Sequence, residues 1–201
     1  MKEIIDNYKK YKWFFTSSGK LVVGGKSALQ NEELLHLIKR EKKEFIIMHT
    51  SSPGSPFSII LSNPNKVTKG DLEQAAVFTA CFSQVWKSGK STTSVDIFKA
   101  SQLSKPSKSK IGTWQVLGEV ETVVVPLELY LTKQEGILRA VPEKAATRKI
   151  FSILPGKVDK KDIIAKIQLE TKEQLNQEQL LSALPAGGIK IVKLDGAKGG
   201  K

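Results

Sequence analysis

Three stretches of this chain carry residue types at spacings that could do chemistry. The first is Gly24-Gly25-Lys26-Ser27-Ala28-Leu29-Gln30-Asn31. A glycine pair between a strand and a helix lets backbone or ligand approach without Cβ interference. The helix start offers N–H groups and partial positive charge to a phosphate, and Lys26 adds a full charge. An ordinary strand-to-helix turn with a solvated lysine explains the same residues, and short glycine motifs are common. The second stretch is His49 followed by Thr50-Ser51-Ser52-Pro53-Gly54-Ser55-Pro56. Its hydroxyls and backbone N–H groups suit phosphate contact. A lone histidine at a strand end is more commonly structural than catalytic, and no acid or nucleophile stands nearby in sequence. The third is Ala100 to Lys110, polar, lysine-rich and broken by Pro106. From Lys87 to Lys110 six lysines face Asp96 alone. A mobile cationic arm on a phosphate backbone and a flexible solvated loop both fit that composition. Trp13 and Trp114 are candidates for base stacking, with core packing as the competing role.

Bulk composition narrows the partner. The formal net charge is +12 and the pI about 9.7. Such an excess favours a polyanion, nucleic acid before membrane, because no strongly amphipathic cationic helix is present. Cys81 is the only cysteine, so an internal disulfide and a cysteine zinc site are excluded. His36 and His49 are the only histidines, too few for a multi-histidine metal site. GxxxxGK[ST], HExxH and GxSxG motifs are absent. Glu119 and Glu121 lack a base or nucleophile beside them and read as surface charges. No apolar run reaches ~18 residues, and the first residues lack a signal-peptide core, so a cytoplasmic protein without cofactor or metal is expected.

The elements that position these groups follow from pattern. Lys12–Thr16 and Lys20–Val23 read as strands around Ser17-Ser18-Gly19, and Ala28–Arg40 as an amphipathic helix. Phe45–Met48 and Phe57–Leu61 are strands on either side of the His49 loop. A helix is expected from Thr68 to Trp86 with an apolar stripe and a stop at Gly89. Thr92–Phe98, Thr113–Val116, Val120–Val125, Leu127–Thr132 and Gly136–Val141 read as strands, with Val123-Val124-Val125 expected to be buried on both faces. Short connections favour hairpins. The fold class is therefore α+β (mixed α/β): a largely antiparallel mixed sheet with two main helices, plus a small C-terminal α/β appendage. Domains are expected at 1–142 and 143–194, with a disordered tail at 195–201.

Several motifs together carry more than their parts. Tyr11-Lys12-Trp13-Phe14, Ser17-Ser18-Gly19, Gly24-Gly25-Lys26, Gln30-Asn31, His49, Pro53-Gly54-Ser55-Pro56, Glu73-Gln74-Ala75-Ala76 with Ser83, and Gln102-Leu103-Ser104-Lys105 follow in order. This series, over residues 11 to about 142, resembles the NFACT-R domain, the RNA-binding part of the ribosome-quality-control proteins that tail stalled nascent chains. Pro155-Gly156 and Leu184-Pro185-Ala186-Gly187-Gly188 look like the C-terminal extension of archaeal members. The resemblance implies a stand-alone, non-catalytic binder of structured RNA, tRNA or rRNA, linked to translation or ribosome-associated quality control. Nucleic-acid contacts are expected at Trp13, Lys20, Gly24, Gly25, Lys26 and Asn31, and at His49, Ser55, Gln102, Lys105, Lys108 and Lys110. Relatives carry a longer Pro/Thr-Gly-rich turn where Ser107–Gly112 stands here, so contacts of that turn do not transfer. The chain has no room for the N-terminal domain, helix-hairpin-helix or coiled coil of the tailing proteins, so tail synthesis is not assigned. A DNA-binding module, an RNA-modifying or RNA-processing enzyme built on the His49 loop, and a ribosome-bound protein adaptor remain as alternatives.

Overall fold

A computed structural model describes residues 1–149, 151–171 and 176–194; the tail expected at 195–201 lies outside the described residues. The short helix α1 (Lys2–Asp6) leads to the hairpin β1 (Lys12–Phe15) and β2 (Leu21–Gly24), turned at Gly19 with φ 80°. Helix α2 (Ala28–Arg40) begins at Ser27, whose hydroxyl accepts from the Gln30 N–H. Strands β3 (Ile46–Thr50) and β4 (Ser58–Ile60) flank the His49 loop, and α3 (Lys69–Cys81) follows. The remaining elements are β5 (Thr92–Lys99), β6 (Leu103–Ser104), β7 (Gln115–Val116), β8 (Glu121–Pro126), β9 (Leu129–Gln134) and β10 (Ile137–Val141), then β11 (Phe151–Val158), α4 (Lys160–Thr171), α5 (Gln177–Ala183) and β12 (Ile189–Lys193). Among the described residues no helix is long and apolar enough to cross a membrane.

The strands form a six-stranded sheet in the order β1-β2-β4-β3-β5-β8, a four-stranded sheet β10-β9-β11-β12, and the small pair β6-β7. All these pairings are antiparallel. The fold is α+β. Alternation along the strands sorts side chains between two cores. Trp13, Val23, Ile47 and Ile59 face α2 residues Leu34, Leu35 and Ile38. Phe14, Val22, Met48 and Ile60 face the other way, with Ala75, Phe78 and Cys81 of α3. Residues of the four-stranded sheet, α4 and α5 join that second core, among them Leu131, Ile153, Ile164 and Leu180. The boundary expected at 142 falls between β10 and β11, and both of those strands pair with β9.

Four local readings differ from expectation. The helix expected to run to Trp86 stops at Cys81, and Gln84–Ser88 is a 3-10 turn. The chain leaves the helix there because the Gln84 N–H donates to Gly54 O at 2.8 Å, tying it to the His49 loop. His49 sits inside β3 rather than opening the loop. Val124 is 71% exposed because β8 ends the sheet and presents that face to solvent. The lysine-rich stretch is not a free arm: Leu103 pairs with Val116 and Ser104 with Gln115.

Several motif residues are joints of the fold. Asp71, fully buried at the start of α3, accepts from the Thr16 and Ser18 hydroxyls at 2.5 and 2.6 Å and from the Thr68 N–H at 2.9 Å. The Gln74 amide accepts from the Ser17 N–H at 2.8 Å and donates to the Ser17 hydroxyl at 2.9 Å. The Ser17-Ser18-Gly19 turn is thus fastened to α3. The outer edge of β1 is capped by side chains. Gln134 accepts from Phe15 N–H and donates to Phe15 O, each at 2.8 Å, and Arg139 donates twice to Trp13 O. These caps satisfy an otherwise open strand edge and join the two sheets.

Candidate nucleic-acid interface

Gly25 needs to be glycine. A Cβ there would lie 2.3 Å from Asn31 Oδ1. That close approach lets Asn31, in the first turn of α2, hold the His49 loop. Its Oδ1 accepts from the Phe57 N–H at 3.2 Å and its Nδ2 donates to Ser55 O at 3.4 Å. The Ser55 hydroxyl accepts from the Thr50 N–H at 2.9 Å, closing the loop on itself. Gly54, with φ 102°, packs against the Gln84 side chain. Gly24 packs against Pro56 and Ser58. Gly24, Gly25, Asn31 and Ser55 therefore shape the site, and the buried Asn31 amide is spent on protein contacts.

These joints frame a cleft of about 640 Å³. Its walls include the Gly25–Ala28 turn, the His49–Phe57 segment, Gln84 and the Ile111–Trp114 segment, with Lys12 and Phe82 also on the lining. The amino end of α2 opens into it through Ser27 and Ala28, both exposed, so its partial positive charge faces the cleft.

Lys12 and Lys26 on the cleft, and Arg139 beside it, form no ion pairs among the described residues. Lys12 stands with Nζ 4.4 Å from the centroid of the Phe82 ring, a cation–π contact. Burial pulls its pKa down to about 8, helped by the charges of Arg139, Lys26 and Lys160. Burial and Arg139 lower Lys26 as well. Arg139, 4% exposed, places Nε and Nη2 at 3.1 and 2.9 Å from Trp13 O and stacks 4.6 Å from the Trp13 ring centroid; burial lowers it to about 10. Among the described residues no carboxylate forms an ion pair with Lys12, Lys26 or Arg139. Asp96, the one acid on the cleft among the described residues, accepts from the Ser51 and Thr122 hydroxyls at 2.7 and 2.8 Å.

His49 donates from Nδ1 to Thr50 O at 2.7 Å, because a carbonyl only accepts. Burial against the Phe57 ring, 4.5 Å away, lowers its pKa, with the Thr50 carbonyl and Asp96 acting in the opposite direction. The ring is neutral at pH 7, and its Nε2 is an acceptor.

Trp114 reaches the cleft wall on the β6–β7 hairpin. Its Nε1 donates to the Glu32 carboxylate at 3.0 Å, which also accepts from Lys105 Nζ at 2.9 Å, the Gly112 N–H at 2.8 Å and His36 Nε2 at 3.1 Å. Burial would raise the Glu32 carboxyl, but the bonds from Lys105, Gly112 and Trp114 outweigh it and hold the pKa at about 2. Glu32 is the pin that fixes the hairpin to α2.

The cleft gathers Gly25, Lys26, Asn31, His49 and Ser55 from the residues expected to contact nucleic acid. The others lie elsewhere. Trp13 is 1% exposed and belongs to the core, which removes it as a stacking platform. Lys105 is committed to Glu32 and to the carbonyls of Lys110 and Thr113, at 2.9 and 3.2 Å, so it orders the hairpin. Gln102 holds the carbonyls of Leu117 and Glu119 at 3.1 and 2.6 Å. Lys108 and Lys110 are exposed on the hairpin, and Lys20 follows the β1–β2 turn, outside the cleft. Lys12 was not expected on the cleft, nor were Glu32 and Arg139 expected to hold the hairpin and β1 from outside its lining. Strand alternation could have flagged Lys12, which shares a face with Phe14 and pairs with Gly24.

A family model described as the NFACT protein RNA binding domain matches residues 10–117. Every residue lining the cleft except Ala186 falls in that span. The archaeal Rqc2 homolog aRqcH of Methanocaldococcus jannaschii is 29% identical over an alignment 199 residues long that covers 92% of this chain and 29% of that protein. The chain therefore spans less than a third of the length of this curated relative. In the solved structure of the C-terminal part of the fibronectin/fibrinogen-binding protein from Streptococcus suis, the likeness covers 58% of this chain and 45% of that one, with 26% identity and a TM-score of 0.51.

Proposed function

The chain belongs to the NFACT protein RNA binding domain family, and we propose that it holds structured RNA, a tRNA or a ribosomal RNA, in the cleft between α2 and the His49 loop. The reading extends to a role in ribosome-associated quality control, in line with its likeness to an Rqc2 homolog. One observation carries it: Lys12 and Lys26, which form no ion pair among the described residues, line the same cleft as the fixed Trp114 indole, inside the segment that matches the family. Phosphates enter beside the two lysines and the α2 amino end. An unpaired base stacks on Trp114, a contact worth ~1–3 kcal/mol. His49 Nε2 accepts from a ribose 2′-hydroxyl, a donor that DNA lacks. His49 is committed to Thr50 O on its other nitrogen, and in this reading the site binds RNA without turning it over.

The test is fluorescence anisotropy of labelled tRNA with the wild type and with Lys12→Gln/Lys26→Gln, across a salt series. The double variant should bind more weakly, with the slope of log K against log salt smaller by about two. Duplex DNA should compete poorly. Equal affinity and slope for wild type and variant, or equal competition by duplex DNA, overturns the reading.

A further inference from the structure

A carboxylate lies on a cleft otherwise suited to phosphate. Alternation along β5 turns Val95 and Ile97 into the core shared with α3, and Asp96 and Phe98 toward the α2 side of the sheet. There Asp96 lies across from His49 of β3 and Thr122 of β8, and it lines the cleft. The sheet face is open at this point: Asp96 is half-buried, and Ser51 and Thr122 are exposed. The Ser51 and Thr122 hydroxyls both donate to Oδ1, at 2.7 and 2.8 Å, and so fill the two acceptor positions of that oxygen. Among the described residues nothing donates to Oδ2, and Asp96 forms no ion pair. Nor do the described residues group three acids, histidines or cysteines that could hold a metal ion. Two hydroxyls thus hold the carboxylate in place and leave one oxygen to a ligand.

We propose that Asp96 reads an unpaired base of the bound RNA, accepting through Oδ2 from the exocyclic amino group of cytosine or adenine and rejecting uracil. The inference rests on the RNA-binding reading above and adds a base preference to it. A carboxylate repels the phosphates that Lys12 and Lys26 attract, so RNA in the same cleft gains only if it brings a donor to that oxygen. Phosphates carry no donor. The ribose 2′-hydroxyl is met by His49 in that reading, which leaves the base edges. Cytosine N4 and adenine N6 each present an N–H donor that an unpaired base leaves free. Guanine presents two adjacent donors, a set that calls for both carboxylate oxygens, and Oδ1 is already filled. Uracil has the acceptor O4 where cytosine has its amino group, so acceptor meets acceptor and the contact is unfavourable. Ser51 and Thr122 are positioning residues: their hydroxyls decide which oxygen is left over.

The test uses the full chain and labelled RNA hairpins that share one stem and differ in loops made of cytidines, adenosines or uridines. Anisotropy at fixed salt compares the wild type with Asp96→Asn, Thr122→Val and Lys12→Gln/Lys26→Gln, and circular dichroism melts report folding of each. The wild type should bind the cytidine and adenosine loops about tenfold more tightly than the uridine loop, the scale of one charge-assisted hydrogen bond. Asparagine keeps an oxygen for the two hydroxyls and turns an amide N–H₂ to the ligand. Asp96→Asn should therefore weaken the cytidine loop, tighten the uridine loop and invert their ratio. Thr122→Val changes an exposed hydroxyl, so it keeps the test valid where Asp96→Asn fails to fold, and it should shrink the preference several-fold. Preference for only one of the two amino bases supports the proposal and names the base. Equal gains for all three loops on Asp96→Asn, with their ratios unchanged, overturn it, because the carboxylate then acts only as a charge. If the wild type shows no preference while Lys12→Gln/Lys26→Gln weakens every hairpin, base reading is wrong and the RNA-binding reading stands. If that double variant also has no effect, both are overturned.

Discussion

Replacing Glu32 by Gln should release the β6–β7 hairpin while leaving the rest of the molecule folded. The carboxylate meets Lys105, Gly112 and Trp114 at 2.8–3.0 Å, and glutamine can satisfy only part of that set. The carboxyl is held at about 2 against an ordinary 4.5. At about 1.4 kcal/mol per tenfold, the gap sets a ceiling of about 3 kcal/mol on what the negative charge contributes. Because the folded value lies below the unfolded one, this stability is complete above pH ~4.5 and disappears as pH falls toward 2. Part of the loss will appear as local opening at the Gly112–Trp114 end of the hairpin, because Lys39 still holds the carbonyl of Leu103 at 2.8 Å. The assay is amide and indole hydrogen exchange at Gly112 and Trp114, together with urea denaturation at pH 7 and pH 3. Glu32→Gln should speed exchange at both sites, lower stability at pH 7, and remove part of the acid dependence that the wild type retains. It should also weaken tRNA binding by loosening Trp114. Unchanged exchange at Gly112 and Trp114, with an unchanged acid dependence, refutes the pin.

Three further outcomes follow from the same geometry. Gly25→Ala forces a Cβ to 2.3 Å from Asn31 Oδ1 and 2.7 Å from the Asn31 backbone nitrogen; a stability loss of about 2 kcal/mol or more is expected by denaturant melts. Asp71→Ala strands the Thr16 and Ser18 hydroxyls and should cost about 3 kcal/mol by the same measurement, as loss of a buried charged hydrogen-bond network does. Lys12 gives a signed pH effect. Burial first, and then the charges of Arg139, Lys26 and Lys160, bring it down to about 8, and Asp96 and His49 share the cleft. Above pH 8 the free protein should gain stability as this crowded charge is lost. Affinity for tRNA should fall over the same range, and calorimetry with anisotropy from pH 7 to 9 checks both directions. Lys12→Gln should flatten the two trends.

The elements were legible because apolar residues recur with the period of each structure, as in the alternation of Trp13 and Phe14 or Ile59 and Ile60 between the two cores. The Gly25–Asn31 turn was legible for the same local reason. What stayed hidden is what depends on distant partners. Two-residue strands such as Leu103–Ser104 show no periodicity, and a lysine-rich composition cannot distinguish Lys108, which is exposed, from Lys105, which is paired with Glu32. Glu32 looks like any solvated helix residue until the hairpin folds over it. Arg139 meets Trp13 across 126 positions of chain, a contact no local pattern records. Val124 belongs to a valine run that suits a buried strand, and only its place at the sheet edge exposes it.

The central claim is that RNA occupies the cleft between α2 and the His49 loop. Ultraviolet crosslinking of bound tRNA, with mass spectrometry of the attached peptides, tests it most directly. The account predicts adducts at Trp114 and on the His49–Phe57 loop, lost when Lys12 and Lys26 are replaced by Gln. Adducts confined to the exposed face of β8 or to the Lys20 turn, and insensitive to those substitutions, would contradict it.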